Sequence, residues 1–284
     1  APCPGDRFHP MSDRPHTSDP AAVREMFAAV APRYDLLNHL LSADLDRRWR
    51  QRAAAAVLPG GAGCRVPRAA CPPVSPARRR GRTDKQPVAA GASRPLVVDV
   101  CTGTGDLATA VLRRGRAARV VACDVCRPML ARARTKLAEA GLGRRAAVVE
   151  ADALALPLPD ATADAACCAF GVRNLADEAA GLGEMVRVVR PGGRVVVLEF
   201  HRPRRGGLLA AMFSLYFRRV LPTLGRWIST GRHGGYAYLV RSIEAFGPRE
   251  RLADAMHRAG LAEVRIDPLP GGVASVYVGT RGEA

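Results

Sequence analysis

Apolar and polar positions change rhythm along the chain, and the change is clearest from residue 96 onward. There, short apolar runs alternate with amphipathic stretches, the pattern of strands alternating with helices. The runs at 96–100, 119–123, 147–150, 163–170 and 194–200 read as strands; the fourth is built of small residues and the last is strongly β-branched. Between them, 107–114, 128–140 and 177–189 read as helices, with Gly141 ending the second and Pro191-Gly192-Gly193 the third. This βα alternation predicts an α/β fold with a doubly wound, mostly parallel sheet and helices on both faces. Near the end, 264–266 and 275–279 read as an antiparallel pair around Pro270-Gly271-Gly272.

Before residue 96 the period is helical. Asp19 reads as a cap, with Pro20 tolerated in the first turn. Val23, Met26, Phe27 and Val30 then follow the spacing of one helix face. A second apolar cluster, Leu36, Leu37, Leu40 and Leu41, follows Tyr34-Asp35, and a basic helix is expected over 47–57. These helices precede the first strand, so they are expected to cap or flank the sheet. Residues 59–95 differ: they are rich in Pro, Gly, Ala and Arg and have no apolar period. Such a stretch buries too little surface to offset its ordering entropy, so a disordered basic insertion is predicted.

At 284 residues with 48% hydrophobic content, the chain is long enough for one large domain with a substantial core. No apolar run reaches the ~18–20 residues of a membrane span. No signal-peptide apolar core is seen, Asp6 and Asp13 argue against a transit peptide, and Met11 is a candidate start with an extension before it. The net charge of +17 invites a nucleic-acid reading, as an RNA-binding protein, or attraction to an anionic membrane. Much of the excess, however, gathers at Arg65, Arg68, Arg78, Arg79, Arg80, Arg82, Lys85 and Arg94, without interleaved aromatics. None of the eight cysteines has the spacing of a disulfide framework, so a reducing compartment is expected. Cys123 and Cys126 form a C-x-x-C without a second pair at zinc spacing, and no metal is expected.

Candidate chemistry sits where strands end. The first strand runs into Asp99-Val-Cys-Thr-Gly-Thr-Gly-Asp106, and Gly103 and Gly105 let a ligand approach the backbone closely. Asp124 ends the second strand about 20 residues on, where an acid can accept from ribose hydroxyls. After the third strand comes Ala151-Asp152-Ala153, where an acid can accept from an adenine amine. Each has a plainer reading: a satisfied buried acid for Asp99, a solvated turn residue for Asp124, and a helix cap over 154–156 for Asp152. The set is looser than a dinucleotide fingerprint and closer to a methyltransferase loop.

Further segments carry a resemblance. Residues 27–38 (FAAVAPRYDLLN), the loop 99–107, Phe170-Gly-Val-Arg-Asn174, residues 190–200 (RPGGRVVVLEF) and residues 236–243 (YAYLVRSI) are together similar to the UbiE/MenG family of quinone-biosynthesis C-methyltransferases, across about 20–58 and 96–281. That resemblance implies a seven-stranded Rossmann-like class I methyltransferase sheet with an antiparallel last strand. It also implies S-adenosyl-L-methionine as cofactor and a polyprenylated quinol as substrate, methylated on a ring carbon. By motif, Thr104, Asp124, Asp152 and Ala153 would touch the cofactor. Ala169, also counted there, stands where the family usually has Ser. Residues 269–274 (LPGGVA) look like the menaquinone branch; the benzoquinol branch, or another small molecule, is the rival. The N-P-P-Y loop of base-amine methyltransferases is absent. The expected setting is cytoplasmic, with peripheral contact at the inner face of the membrane. A homodimer is left open, and no specific nucleic acid is expected.

The implied organisation is a flexible extension over 1–17 and a methyltransferase domain over 18–284. Within it lie a helical cap (18–58), the insertion (59–95), a cofactor-binding core (96–200), substrate-cover helices (201–246) and a C-terminal helix and strands (247–284). Arg173 is the candidate to stabilise a quinolate, against a structural ion pair with an acid such as Asp177. Asn174 is the second catalytic candidate, orienting substrate or capping the next helix. Tyr34, Asp35, Tyr236 and Tyr238 are candidate pocket residues, with packing the plainer role for each. Leu208, Leu209, Met212, Phe213, Tyr216, Phe217 and Val220 share one helical face, either a membrane-skimming cover or a core face.

Overall fold

Alternate residues of the central strands point to opposite faces, and both faces are apolar, so helices must cover both. In the computed structural model, which describes residues 20–42, 44–58, 94–202 and 235–283, seven strands form one sheet. They are β1 (Leu96–Val100), β2 (Arg119–Asp124), β3 (Ala146–Glu150), β4 (Ala163–Ala169), β5 (Val189–Phe200), β6 (Leu261–Pro268) and β7 (Ala274–Arg281). Their order is β3-β2-β1-β4-β5-β7-β6. The first five pair in parallel, and β7 runs antiparallel between β5 and β6.

Helices among the described residues are α1 (Pro20–Val30), α2 (Tyr34–Ser42), α3 (Leu45–Val57), α4 (Asp106–Arg114), α5 (Arg127–Glu139), α6 (Glu178–Val188), α7 (Gly235–Phe246) and α8 (Arg249–Arg258). Val97, Cys167, Val196 and Leu198 pack on one side with α3 and α4. Val98, Val100, Cys168 and Val197 pack on the other with α6 and α8. The chain winds outward from β1 to β3, then returns to β4 on the other side of β1. The crevice at this reversal, beyond the carboxyl ends of β1 and β4, is where ligands bind in such sheets.

The structure corrects several local expectations. Pro191-Gly192-Gly193 does not separate helix from strand: α6 ends at Val188, and β5 already begins at Val189, which pairs with Ala163. The turn is absorbed as a register shift between Ala163 and Ala165. The last two strands are longer than expected because β6 is an edge strand with Ala262, Glu263 and Arg265 exposed, which blurs its apolar pattern. The basic helix flanks the sheet as expected, with Trp49, Ala53, Ala54 and Val57 buried against the sheet and α4. Leu36, by contrast, is 62% exposed, so the apolar cluster that opens α2 does not all face inward.

Asp19, the 1–17 extension, nearly all of the 59–95 insertion and the apolar face over 208–220 lie outside the described residues. Among the described residues no helix is long and apolar enough to cross a membrane.

Candidate active site

The loop after β1 is built from residues in left-handed backbone: Cys101 at φ 55°, Gly103 at φ 55° and Gly105 at φ 80°. Gly105 is needed twice over. A side chain there would strain the backbone, and its Cβ would lie 3.1 Å from that of Ala133 on α5. Non-glycine residues at such angles concentrate at ligand sites, and Phe170, following β4, is another at φ 60°.

Three carboxylates hold three consecutive loop residues. Asp99 lies beneath the loop with no exposed surface. Its Oδ2 accepts from the Thr102 hydroxyl at 2.6 Å and the Ala108 N–H at 3.0 Å. Burial pushes its pKa up to about 7, against the lowering effect of those bonds. Asp99 therefore supports the loop and does not reach the crevice, the buried-acid alternative. Asp124 accepts from the Gly103 N–H at 2.8 Å through Oδ2 and from the Cys126 N–H at 2.8 Å through Oδ1. It is half-buried, and burial raises its pKa despite these bonds, so it is no solvated turn residue. Thr104 is 2% exposed, and its hydroxyl donates away from the crevice to Asp35 Oδ1 at 2.6 Å. Thr104 is therefore not among the residues that line the crevice, contrary to the expectation that it touches the cofactor.

Gly103, Asp124, Asp152, Ala153, Ala169 and Asn174 line one crevice, of about 1040 Å³ including the part open to solvent. Asp152 accepts from the Leu154 N–H at 2.9 Å and bridges to Ala155, so it closes a turn and caps no helix. Tyr34 lines the same crevice, edge-on to Phe27 with ring centroids 6.1 Å apart, and burial raises its pKa. Sequence reasoning missed Val125, which lines the crevice 39% exposed beside Asp124. The available signal was an apolar residue directly after the strand-ending acid. The donor set suits an adenosyl group: a carboxylate whose oxygens each have a lone pair left for a ribose hydroxyl, an apolar residue for a purine face, and the spare Asp152 oxygen for an amine.

The turn after β4 is organised by a buried ion pair. Arg173 Nη1 lies 2.7 Å from Glu199 Oε1, with the side chains 6% and 0% exposed. The same nitrogen donates to the Phe170 carbonyl at 2.6 Å, and the Arg173 N–H donates to Glu199 Oε2 at 3.2 Å. Burial raises the Glu199 pKa, and Arg173 opposes the rise. The ion-pair partner is thus Glu199 and not Asp177, which accepts from the Ala179 and Ala180 N–H groups as the cap of α6. Asp177 thereby takes the capping role considered for Asn174. Asn174 donates to the Phe170 carbonyl at 3.2 Å and accepts from the Tyr238 hydroxyl at 3.0 Å. Arg173 and Tyr238 sit one layer behind the crevice, connected to it through Asn174. The Tyr236 side chain is outside the described residues. Glu199 went unassigned; its signal was a lone acid inside an otherwise apolar strand. Phe170 stacks on Phe200 with centroids 4.4 Å apart, and Trp49 of α3 lies edge-on to Phe200 at 6.1 Å, so α3 braces this turn.

Comparison with known proteins adds relatives. The model of the ubiE/COQ5 methyltransferase family matches residues 79–281. The demethylmenaquinone methyltransferase of Thermus thermophilus is 44% identical over 256 residues, covering 90% of this chain and 100% of that one. The protein of the same name from Deinococcus radiodurans is 43% identical, covering 92% of each chain. The crystal structure of a SAM-dependent methyltransferase from Thermotoga maritima is similar in fold, with a TM-score of 0.55 at 17% identity over 90% of this chain and 98% of that one.

Proposed function

The chain belongs to the ubiE/COQ5 methyltransferase family, and we propose that it transfers a methyl group from S-adenosylmethionine to a ring carbon of the polyprenylated quinol demethylmenaquinol. The observation that carries this reading is the 44% identity to a demethylmenaquinone methyltransferase along that protein's whole length. S-adenosylmethionine, when bound, supplies a methyl made electrophilic by its sulfonium.

The chain's own residues supply position and field. Asp124 would hold the ribose and Asp152 the adenine amine, and Val125 would offer the purine an apolar contact. Tyr34 and Asn174 place the quinol ring on the opposite wall. A ring carbon is a weak nucleophile until the adjacent hydroxyl becomes phenolate-like. Arg173 cannot be the base, since a guanidinium stays protonated. Its fixed charge behind Asn174 favours the quinolate over the neutral quinol and so favours the transition state selectively. The ring carbon gains the methyl and gives up its proton to water, leaving the neutral thioether S-adenosylhomocysteine as co-product, so one proton is released per turnover. A polyprenyl tail partitions into lipid, so the reading places the protein in the cytoplasm with peripheral contact at the inner membrane face, as a monomer or homodimer.

Mass spectrometry of quinones from cells lacking the protein tests this directly. The expected result is accumulation of a naphthoquinone one ring methyl short. A normal naphthoquinone, with a benzoquinone one methyl short, would move the substrate to the benzoquinol branch.

A further inference from the structure

Thr102 and Gly103 of the cofactor loop are held by acids of the sheet itself, Asp99 and Asp124. Thr104 is held by an acid of the N-terminal helices. Asp35 opens α2 beside Tyr34, which lines the crevice. One oxygen of Asp35 accepts from Thr104 Oγ1 at 2.6 Å, and the other lies 2.7 Å from Lys136 Nζ of α5. Lys136 also donates to Thr104 Oγ1 at 3.2 Å and to Asp106 at the start of α4. Arg50 of α3 lies 3.7 Å from Asp106 and pairs with Asp46, which accepts from the hydroxyl of Ser42 at the end of α2. The chain of contacts thus runs from α2 through the loop, α5, α4 and α3 and back to α2. Its members are only 20–27% exposed at Asp35, Lys136 and Asp106, and 8% or less at Arg50 and Asp46, so water screens them less than a surface pair.

We propose that Asp35 is a positioning residue that latches the N-terminal helices to the cofactor loop, so that the quinol wall at Tyr34 and the cofactor wall at Gly103 are set together. The inference rests on the methyltransferase reading of the crevice. A loop bearing two glycines has little side-chain packing to define it, and the latch supplies the constraint its own residues lack. Because the Thr104 hold comes from α2, ordering the loop favours docking of α2, and docking of α2 favours the ordered loop. Coupling of this kind is reciprocal: cofactor and quinol tighten each other's binding through Asp35.

The test is calorimetry with S-adenosylhomocysteine, which has no methyl to transfer, with and without a saturating short-chain naphthoquinol. In wild type the quinol is expected to tighten S-adenosylhomocysteine binding about fivefold or more, the lower end of usual couplings. In Asp35→Ala the ratio should fall to about one. Thr104→Val, which removes only the hydroxyl, should lower it too and serves if Asp35→Ala fails to fold. The double variant should be no worse than Asp35→Ala alone. An undiminished ratio in a folded Asp35→Ala or Thr104→Val protein overturns the latch, as does a wild-type ratio of one. Wild type that binds no S-adenosylhomocysteine at all would instead remove the methyltransferase reading on which the latch stands.

Discussion

Replacing Arg173 changes charge in two places, at the substrate and inside the protein, and the structure sizes the second. Glu199 has no exposed surface, and Arg173 is the counter-charge 2.7 Å away. Removing one partner of such a pair leaves an uncompensated buried charge, at a cost of about 3–5 kcal/mol. The Phe170 carbonyl adds little, because Asn174 still donates to it. That cost is a large part of the ~5–15 kcal/mol that holds a typical domain folded. A single substitution therefore confounds catalysis with folding. The informative set is wild type, Arg173→Met, Glu199→Gln and the double variant, compared by urea unfolding and by turnover of a demethylated quinol under conditions where each is folded. Arg173→Met should lose about 3–5 kcal/mol, and the double variant should regain most of it, since neither charge is then stranded. Turnover of the double variant should stay well below wild type, because the positive field behind Asn174 is lost. Recovery of turnover together with stability would refute the catalytic assignment and leave Arg173 a structural ion pair. The pH dependence has a definite sign. Burial, the larger influence, already raises the Glu199 pKa, and without the Arg173 guanidinium only the backbone N–H groups of Phe200 and of position 173 remain to oppose it. A carboxyl raised in this way contributes stability below its unfolded value of about 4.3 and loses it as pH rises through the folded value. The deficit of Arg173→Met should thus be smallest in acid.

Asp124→Ala should weaken binding of S-adenosylmethionine by about 5- to 150-fold, the equivalent of ~1–3 kcal/mol for charged hydrogen bonds; unchanged affinity by calorimetry in a folded variant removes Asp124 from the site. Asp99 is raised to about 7, so its contribution to stability is present near pH 4 and lost by pH 7. Asp99→Asn keeps an acceptor oxygen and cannot ionise, so the difference between variant and wild type should shift in the variant's favour between pH 5 and pH 7.5 in urea unfolding; a difference independent of pH would show that Asp99 does not titrate there. Excising residues 61–93 should leave the melting temperature and turnover close to wild type, because their composition predicts no packed core. A fall of many degrees would show that they pack.

The parallel core was legible in the sequence because its signal is local. Apolar runs of strand length, separated by helix-period stretches, placed β1 to β5 to within a few residues, and a glycine pair followed by a strand-ending acid marked the crevice. The same local signal placed Asp124 and Asp152 just beyond strands, the resemblance added Asn174, and all three line the crevice. It failed where the deciding partner is remote in the chain. Arg173 and Glu199 are 26 residues apart, and Asp35 and Thr104 are 69 apart. A charged residue at such a position reads the same whether its partner is water, a ligand or another side chain. Asp99 shows the point: an acid in a strand could serve a ligand or a loop, and only its burial beneath Thr102 and Ala108 decides for the loop. The basic helix at 45–57 shows it for packing, since its arginines announce a surface while Trp49 is 1% exposed beneath them. Period and spacing determine which elements form, because they depend on neighbours a few residues away. Which charges are paired, and which face the ligand, depends on strand order and helix docking, and those exist only once the sheet is assembled.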